Sequence, residues 1–215
     1  GIREAFQYSE DLKKLGLTPG LEGKTLVFQG FGNVGYYAAK FLSEEDGCKV
    51  IGIAEWDAAL YNLNGIPVEE LNAFRKETGS IKNFPGAETL PGPDSIWDIR
   101  CDILIPAALE NQINLENCDR IHCKVLAEAA NGPTTPGAEE RLHARGILII
   151  PDIFLNAGGV TVSYFEWSKN LSHMRFGRLQ KHLDEIKNQK LVSTIEKMIG
   201  KRVTAGDKTY LVRGP

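Results

Sequence analysis

Thr25-Leu26-Val27-Phe28-Gln29-Gly30-Phe31-Gly32-Asn33-Val34-Gly35 is the stretch whose reading decides the fold. Residues 25–29 are short, apolar and β-prone, as expected of a parallel strand buried on both faces. Glycines then fall at positions 30, 32 and 35. That spacing suits a strand turning sharply into a helix. Gly30 makes the tight turn, Gly32 lets a diphosphate approach the backbone, and Gly35 lets the helix pack against the strand. Phe31, Asn33 and Val34 share the loop, where free N–H groups and the positive end of the helix dipole face the phosphates. A glycine pattern this short also arises by chance, so its surroundings must carry the reading.

The surroundings agree. Tyr36 to Glu44 reads as helix and Lys49 to Ala54 as a second strand, closed by Glu55 at 25 positions after Gly30. A carboxylate there accepts hydrogen bonds from ribose hydroxyls and repels a 2′-phosphate. With no Arg or Lys between Glu55 and Asn64, the bound dinucleotide is expected to be NAD, with NADP possible.

Outward from this unit the alternation continues. Residues 1–16 carry an imperfect helical pattern, Val68 to Lys76 reads as helix, and residues 103–106, 125–127 and 147–151 read as strands around a helix at 137–144. Asn83 to Asp94, rich in Pro and Gly, reads as a loop. Beyond Gly159 come two helical stretches, 160–169 and 179–199. The expected fold is α/β: a doubly wound, mostly parallel, Rossmann-type sheet over residues 1–160, with a helical extension over 160–215.

Composition narrows the function classes. The 215 residues carry a net charge of −3 with 42% hydrophobic and 25% charged residues, the balance of a soluble globular protein. Nucleic-acid binding would need clustered Lys and Arg. No apolar run approaches the ~20 residues that span a bilayer, and the N-terminus shows no signal-peptide pattern. Cys118, His122 and Cys123 lie close together, yet structural zinc wants four ligands at recognisable spacings, so no metal site is assigned. Cysteine usage points to a reducing compartment.

Three further segments end strands, where ligands of open α/β sheets bind. Residues 106–112 hold small side chains against which a ribose or nicotinamide fits. Asn131 and Asn156 each sit in a loop at a strand end. Their amides either meet the nicotinamide carboxamide or bond their own backbone as turn-formers, and spacing leaves both readings open.

Gln29-Gly30-Phe31-Gly32-Asn33-Val34-Gly35, Cys101-Asp102-Ile103-Leu104-Ile105-Pro106-Ala107-Ala108, Ala130-Asn131-Gly132-Pro133-Thr134-Thr135-Pro136 and the run Asn156 to Trp167 together resemble the glutamate dehydrogenase family, within the hexameric glutamate/leucine/phenylalanine/valine dehydrogenases. The resemblance runs from Gly1 to about Arg178. It implies an enzyme that oxidises L-glutamate to 2-oxoglutarate and ammonia with NAD(P), a homohexamer when full-length, in the cytoplasm or the mitochondrial matrix. It implies that Gly30, Gly32, Asn33 and Val34 hold the diphosphate and Glu55 the adenosine ribose. Ala107, Ala108 and Gln112 line the nicotinamide ribose, with Asn131 and Asn156 at the nicotinamide itself. Val160 and Ser163 face substrate, Ser163 bonding its distal carboxylate, although a helix-interior serine also satisfies itself on its own backbone.

The resemblance also implies that the catalytic lysines and aspartate belong to a preceding substrate domain. No catalytic residue is therefore assigned within these residues, and the polypeptide alone is expected to bind cofactor without turnover. A branched-chain or aromatic amino-acid dehydrogenase, or a non-catalytic nucleotide sensor, are the alternative readings. Two departures stand out: Ala129 where many members have Gly, and Trp56 where smaller residues are usual.

Overall fold

A computed structural model describes residues 1–7, 9–172, 176–200, 203, 204, 207 and 211. Seven strands form one sheet: β1 (Thr25–Gln29), β2 (Lys49–Ala54), β3 (Ala59–Tyr61), β4 (Glu88–Thr89), β5 (Ile103–Pro106), β6 (Val125–Ala127) and β7 (Leu148–Ile150). Among the described residues the helices are α1 (Ile2–Ala5), α2 (Ser9–Lys14), α3 (Asn33–Glu44), α4 (Val68–Thr78), α5 (Pro136–Ala144), α6 (Asp152–Leu155), α7 (Ala157–Ser172) and α8 (Phe176–Ile199). Short 3-10 segments add Pro93–Asp98 and Cys118–Arg120.

The strand order is β4-β3-β2-β1-β5-β6-β7. From β2 across to β7 all pairings are parallel, whereas β3 runs antiparallel to β2 and β4 antiparallel to β3. The chain leaves β1 in one direction to build β2 and returns on its other side as β5. The order therefore reverses between β1 and β5, and open sheets of this kind bind ligands at that reversal, beyond the carboxyl ends of the strands.

Alternation along the central strands feeds two cores, one on each face. Leu26, Phe28, Ile103, Ile105, Val125 and Ala127 enter one; Val27, Leu104 and Leu126 enter the other. In β2 the alternation slips. Leu26 pairs with Val50 but Val27 with Gly52, so Ile51 is an extra residue and Ile53 regains the first core. A Cβ on Gly52 would stand 2.9 Å from Ile99 Cδ1, which is why this bulge takes glycine. Helix α3 buries Gly35, Ala39 and Leu42, one stripe at spacings of four and three.

At the amino ends of the strands, Asp102 accepts hydrogen bonds from Thr25 N–H and Thr25 Oγ1, both at 3.0 Å, and lies 3.2 Å from Lys124 Nζ. Burial pushes this carboxyl up, but those partners outweigh it and hold it below the usual carboxylate value. All four cysteines are buried. Burial pushes the Cys48 thiol up to about 11 and the Cys123 thiol to about 12, so neither offers a reactive thiolate. No group of three or more His, Cys, Asp or Glu among the described residues is arranged to hold a metal ion. No described helix is long and apolar enough to cross a membrane.

The chain divides into two compact units, Gly1–Gly158 and Gly159–Pro215. The first holds the sheet. In the second, Val192 of α8 is buried, whereas Val160, Tyr164 and Trp167 on α7 are exposed. The helical pattern expected over 1–16 forms two short helices, α1 and α2, and the loop expected at 83–94 contains β4.

Candidate functional site

A cleft of about 460 Å³ opens at the reversal between β1 and β5. Its floor is the loop from β1 into α3. Gly30 has φ +100°, and a Cβ there would fall 2.9 Å from the Ala107 carbonyl and 2.8 Å from Ala108 Cβ. The loops after β1 and β5 thus touch through a residue that must be glycine. A Cβ on Gly35 would come within 2.0 Å of Gly30 O, so α3 also packs directly on the turn. Gly32 differs: nothing of the protein lies within 4 Å of where its Cβ would be, and it lines the cleft. Of the three glycines, a Cβ would meet protein at Gly30 and Gly35 and nothing at Gly32.

Helix α3 begins at Asn33 with Gly32 as its N-cap, and no side chain caps it. Its first N–H groups lack partners within the helix, which makes this end a seat for an anion. Asn33 and Val34 are exposed there. Phe31 contributes its backbone; its ring is fully buried and meets Tyr36 edge-on at 5.8 Å.

Glu55 lines the cleft, and its Oε1 accepts a hydrogen bond from the Phe31 N–H. The carboxylate thus fastens the glycine loop and keeps Oε2 available. Arg75, in the last turn of α4, brings its guanidinium within 3.9 Å of Glu55 Oε1 and lines the same cleft. The local sequence holds no cation near Glu55; tertiary packing supplies one from 20 positions further on. Trp56, 82% exposed, borders the cleft beside Glu55.

Ala107, Ala108 and Gln112 form the opposite wall. Gln29 Nε2 donates to Gln112 Oε1 at 3.1 Å, while Gln29 Oε1 is buried with no partner among the described residues. Gln29 was legible only as a strand residue. Gln112 also lines an adjoining depression together with Asn131. The loops after β5 and β6 are zipped there: Asn111 N–H donates to Gly132 O at 2.9 Å and Ile113 N–H to Pro133 O at 2.9 Å.

Asn131 and Asn156 bond each other, Asn156 Nδ2 donating to Asn131 Oδ1 at 2.6 Å. Neither expectation from spacing anticipated this pairing. It leaves Asn131 Nδ2 as a donor and Asn156 Oδ1 as an acceptor. Beneath them Glu128, 8% exposed, and Asp152 join the two loops; neither was a sequence candidate. Ala129 does not adopt positive φ, so its methyl is accommodated without strain, half-buried against the core. Val160 and Ser163 lie on the exposed surface of α7 in the second unit.

Comparisons with known proteins bear on the family and the fold. The sequence profile of the "Glutamate/Leucine/Phenylalanine/Valine dehydrogenase" family matches residues 5–212. The chain is 50% identical over 214 residues to a mitochondrial glutamate dehydrogenase of Dictyostelium discoideum, covering all of this chain and 42% of that protein. The crystal structure of glutamate dehydrogenase from Peptoniphilus asaccharolyticus is 34% identical, with a TM-score of 0.59 over 98% of this chain and 49% of the other. A hetero-hexameric glutamate dehydrogenase from Thermus thermophilus, 22% identical, shares the fold with a TM-score of 0.69 over 99% of this chain and 50% of the other. The chain spans half or less of the length of these relatives. With the family profile covering nearly all of its residues, the chain belongs to the glutamate/leucine/phenylalanine/valine dehydrogenase family.

Proposed function

We propose that this chain is the C-terminal, NAD(P)-holding domain of a glutamate dehydrogenase, with residues 1–160 gripping the cofactor and α7 and α8 forming the described part of the helical extension expected over 160–215, whose residues 173–175, 201, 202, 205, 206, 208–210 and 212–215 lie outside the described residues. The full-length homohexamer oxidises L-glutamate to 2-oxoglutarate and ammonia. The observation that carries this reading is the cleft at the strand-order reversal, where Gly32 alone among the three loop glycines opens onto empty space. The residues fit the group they are assigned: an uncapped helix end for a diphosphate, a cleft-lining carboxylate for ribose hydroxyls, and an amide pair for a carboxamide.

The bound dinucleotide supplies the hydride acceptor at nicotinamide C4. The protein's part is binding and orientation. Gly30 to Gly35 present the turn and the helix N–H groups to the diphosphate. Glu55 takes the adenosine ribose through Oε2, Ala107, Ala108 and Gln112 flank the second ribose, and Asn131 with Asn156 matches the carboxamide donor to acceptor. Val160 and Ser163 on α7 are assigned to substrate, the Ser163 hydroxyl donating to the distal carboxylate.

No lysine lines the cleft among the described residues. Hydride transfer needs glutamate held at near-attack distance, so these 215 residues alone should bind cofactor and give no glutamate-dependent reduction of NAD. In the full-length protein, kcat/KM for glutamate should exceed that for leucine, phenylalanine and valine by about a hundredfold or more, because a polar pocket rejects apolar analogues strongly. Faster turnover of one of those three would overturn the substrate assignment. NADP is the second reading, and Arg75 favours it: its guanidinium offsets Glu55 where a 2′-phosphate belongs.

A further inference from the structure

We propose that Glu128 is a positioning residue, whose carboxyl ties the loop after β6 to the start of α6 and thereby sets the Asn131–Asn156 pair at the nicotinamide end of the cofactor. The inference rests on the cofactor reading above and names what holds that end in register.

The tie is reciprocal. Glu128 Oε2, at the carboxyl end of β6, accepts the Asp152 N–H at 3.1 Å. Asp152 answers across the same gap, its Oδ2 accepting the Gly132 N–H at 2.8 Å while Oδ1 takes the Ile153 N–H at 2.6 Å. Asn131 immediately precedes Gly132, and the Asn156 N–H donates to Asp152 O at 2.8 Å. Both asparagines therefore hang from residues that the two carboxylates hold. The 2.6 Å amide bond between them closes the ring.

Simple loop anchoring does not account for a carboxylate here. The loop is already fixed to β5 by Ala129 and Ala130 N–H, which donate to Pro106 O at 3.0 and 2.9 Å. Burial pushes the Glu128 carboxyl above its ordinary value, opposed by the Asp152 N–H. An apolar side chain would fill such a position without that desolvation penalty. What an apolar residue cannot do is orient Asp152, and through it Gly132 and the amide pair.

The test separates the two ends of the cofactor. NADH and ADP-ribose, which lacks nicotinamide, are titrated against the parent chain, Glu128→Ala and Glu128→Gln. Glu128→Ala should weaken NADH about tenfold or more, the scale of one lost charge-assisted hydrogen bond. ADP-ribose should stay within about twofold, because the glycine loop and Glu55 are untouched and distant sites act independently. Glu128→Gln keeps an acceptor oxygen and should hold NADH within about threefold of the parent. Unchanged NADH affinity in Glu128→Ala overturns the inference, as does an equal loss for ADP-ribose, which marks general damage. If Glu128→Ala does not fold, Glu128→Met, similar in volume but without the carboxylate, takes its place: a tenfold NADH loss with ADP-ribose unchanged supports the role, and unchanged NADH affinity or an equal loss of both overturns it. A parent chain that binds ADP-ribose but not NADH overturns the inference together with the proposed function.

Discussion

Replacing Gly32 by alanine separates cofactor binding from folding more cleanly than other changes to the loop. Gly32 has φ −70° and ψ −163°, which alanine adopts without strain. Its Cβ would meet nothing within 4 Å. Stability should therefore change only through the weaker N-cap, roughly 0.5 kcal/mol, or about 1–2 °C in Tm for a chain of this size. The methyl nevertheless projects into the cleft. A phosphate oxygen at hydrogen-bond distance from this backbone would be displaced by about 1 Å, forfeiting at least one charge-assisted bond worth about 1.5–3 kcal/mol. NADH affinity should fall roughly 10- to 150-fold. Gly35→Ala is the contrast. Its Cβ would lie 2.0 Å from Gly30 O, so backbone must move, costing about 1–3 kcal/mol or more and lowering Tm by roughly 2–12 °C. NADH titration by nicotinamide fluorescence, with thermal melts in the same buffer, reads both variants. Gly32→Ala binding NADH within twofold of the parent, or melting as early as Gly35→Ala, would refute the reasoning.

Two further predictions concern charge. Arg75→Gln should leave NADH affinity within about threefold but weaken NADPH about tenfold or more, since only the latter offers a 2′-phosphate to the guanidinium; equal effects on both, in parallel titrations, would remove Arg75 from cofactor selection. Asp102 is held below the usual carboxylate value by its Thr25 and Lys124 partners despite the opposing push of burial. Its stabilisation is thus fully present above pH ~4 and lost as pH falls through the lowered value. Asp102→Ala should melt below the parent at neutral pH, by about 1–3 kcal/mol, with the gap closing below pH ~4. NADH affinity should hold, because Asp102 immediately precedes β5, at the end away from the cleft. A gap that persists unchanged at low pH would contradict the assignment.

Much of this was readable because it was local. Val27-Phe28 and Ile103-Leu104-Ile105 are unbroken apolar runs, and the glycine spacing binds strand to helix within eleven residues. The short strands were not readable for the same reason: Ala59–Tyr61 and Glu88–Thr89 have three and two residues, too few to show a period of two. Arg75 escaped because it reaches Glu55 only through the packing of α4. A search of the residues beside Glu55 finds no cation. Glu128 escaped because a strand-end carboxylate looks like loop polarity until the Asp152 N–H is placed against it. Asn131 and Asn156 were each legible as residues after a strand end, but their mutual bond depends on β6 and β7 being neighbours, which spacing alone does not encode.

Titration of the unmodified 215-residue chain with NADH, with ADP-ribose as competitor, tests the central claim most directly. The account predicts saturable enhancement of nicotinamide fluorescence with Kd at or below about 1 mM, the upper end of ordinary cofactor and substrate constants, and its full reversal by ADP-ribose. A signal that stays linear through several millimolar (about five times that limit), or that ADP-ribose does not displace, would contradict the assignment of this cleft to a dinucleotide.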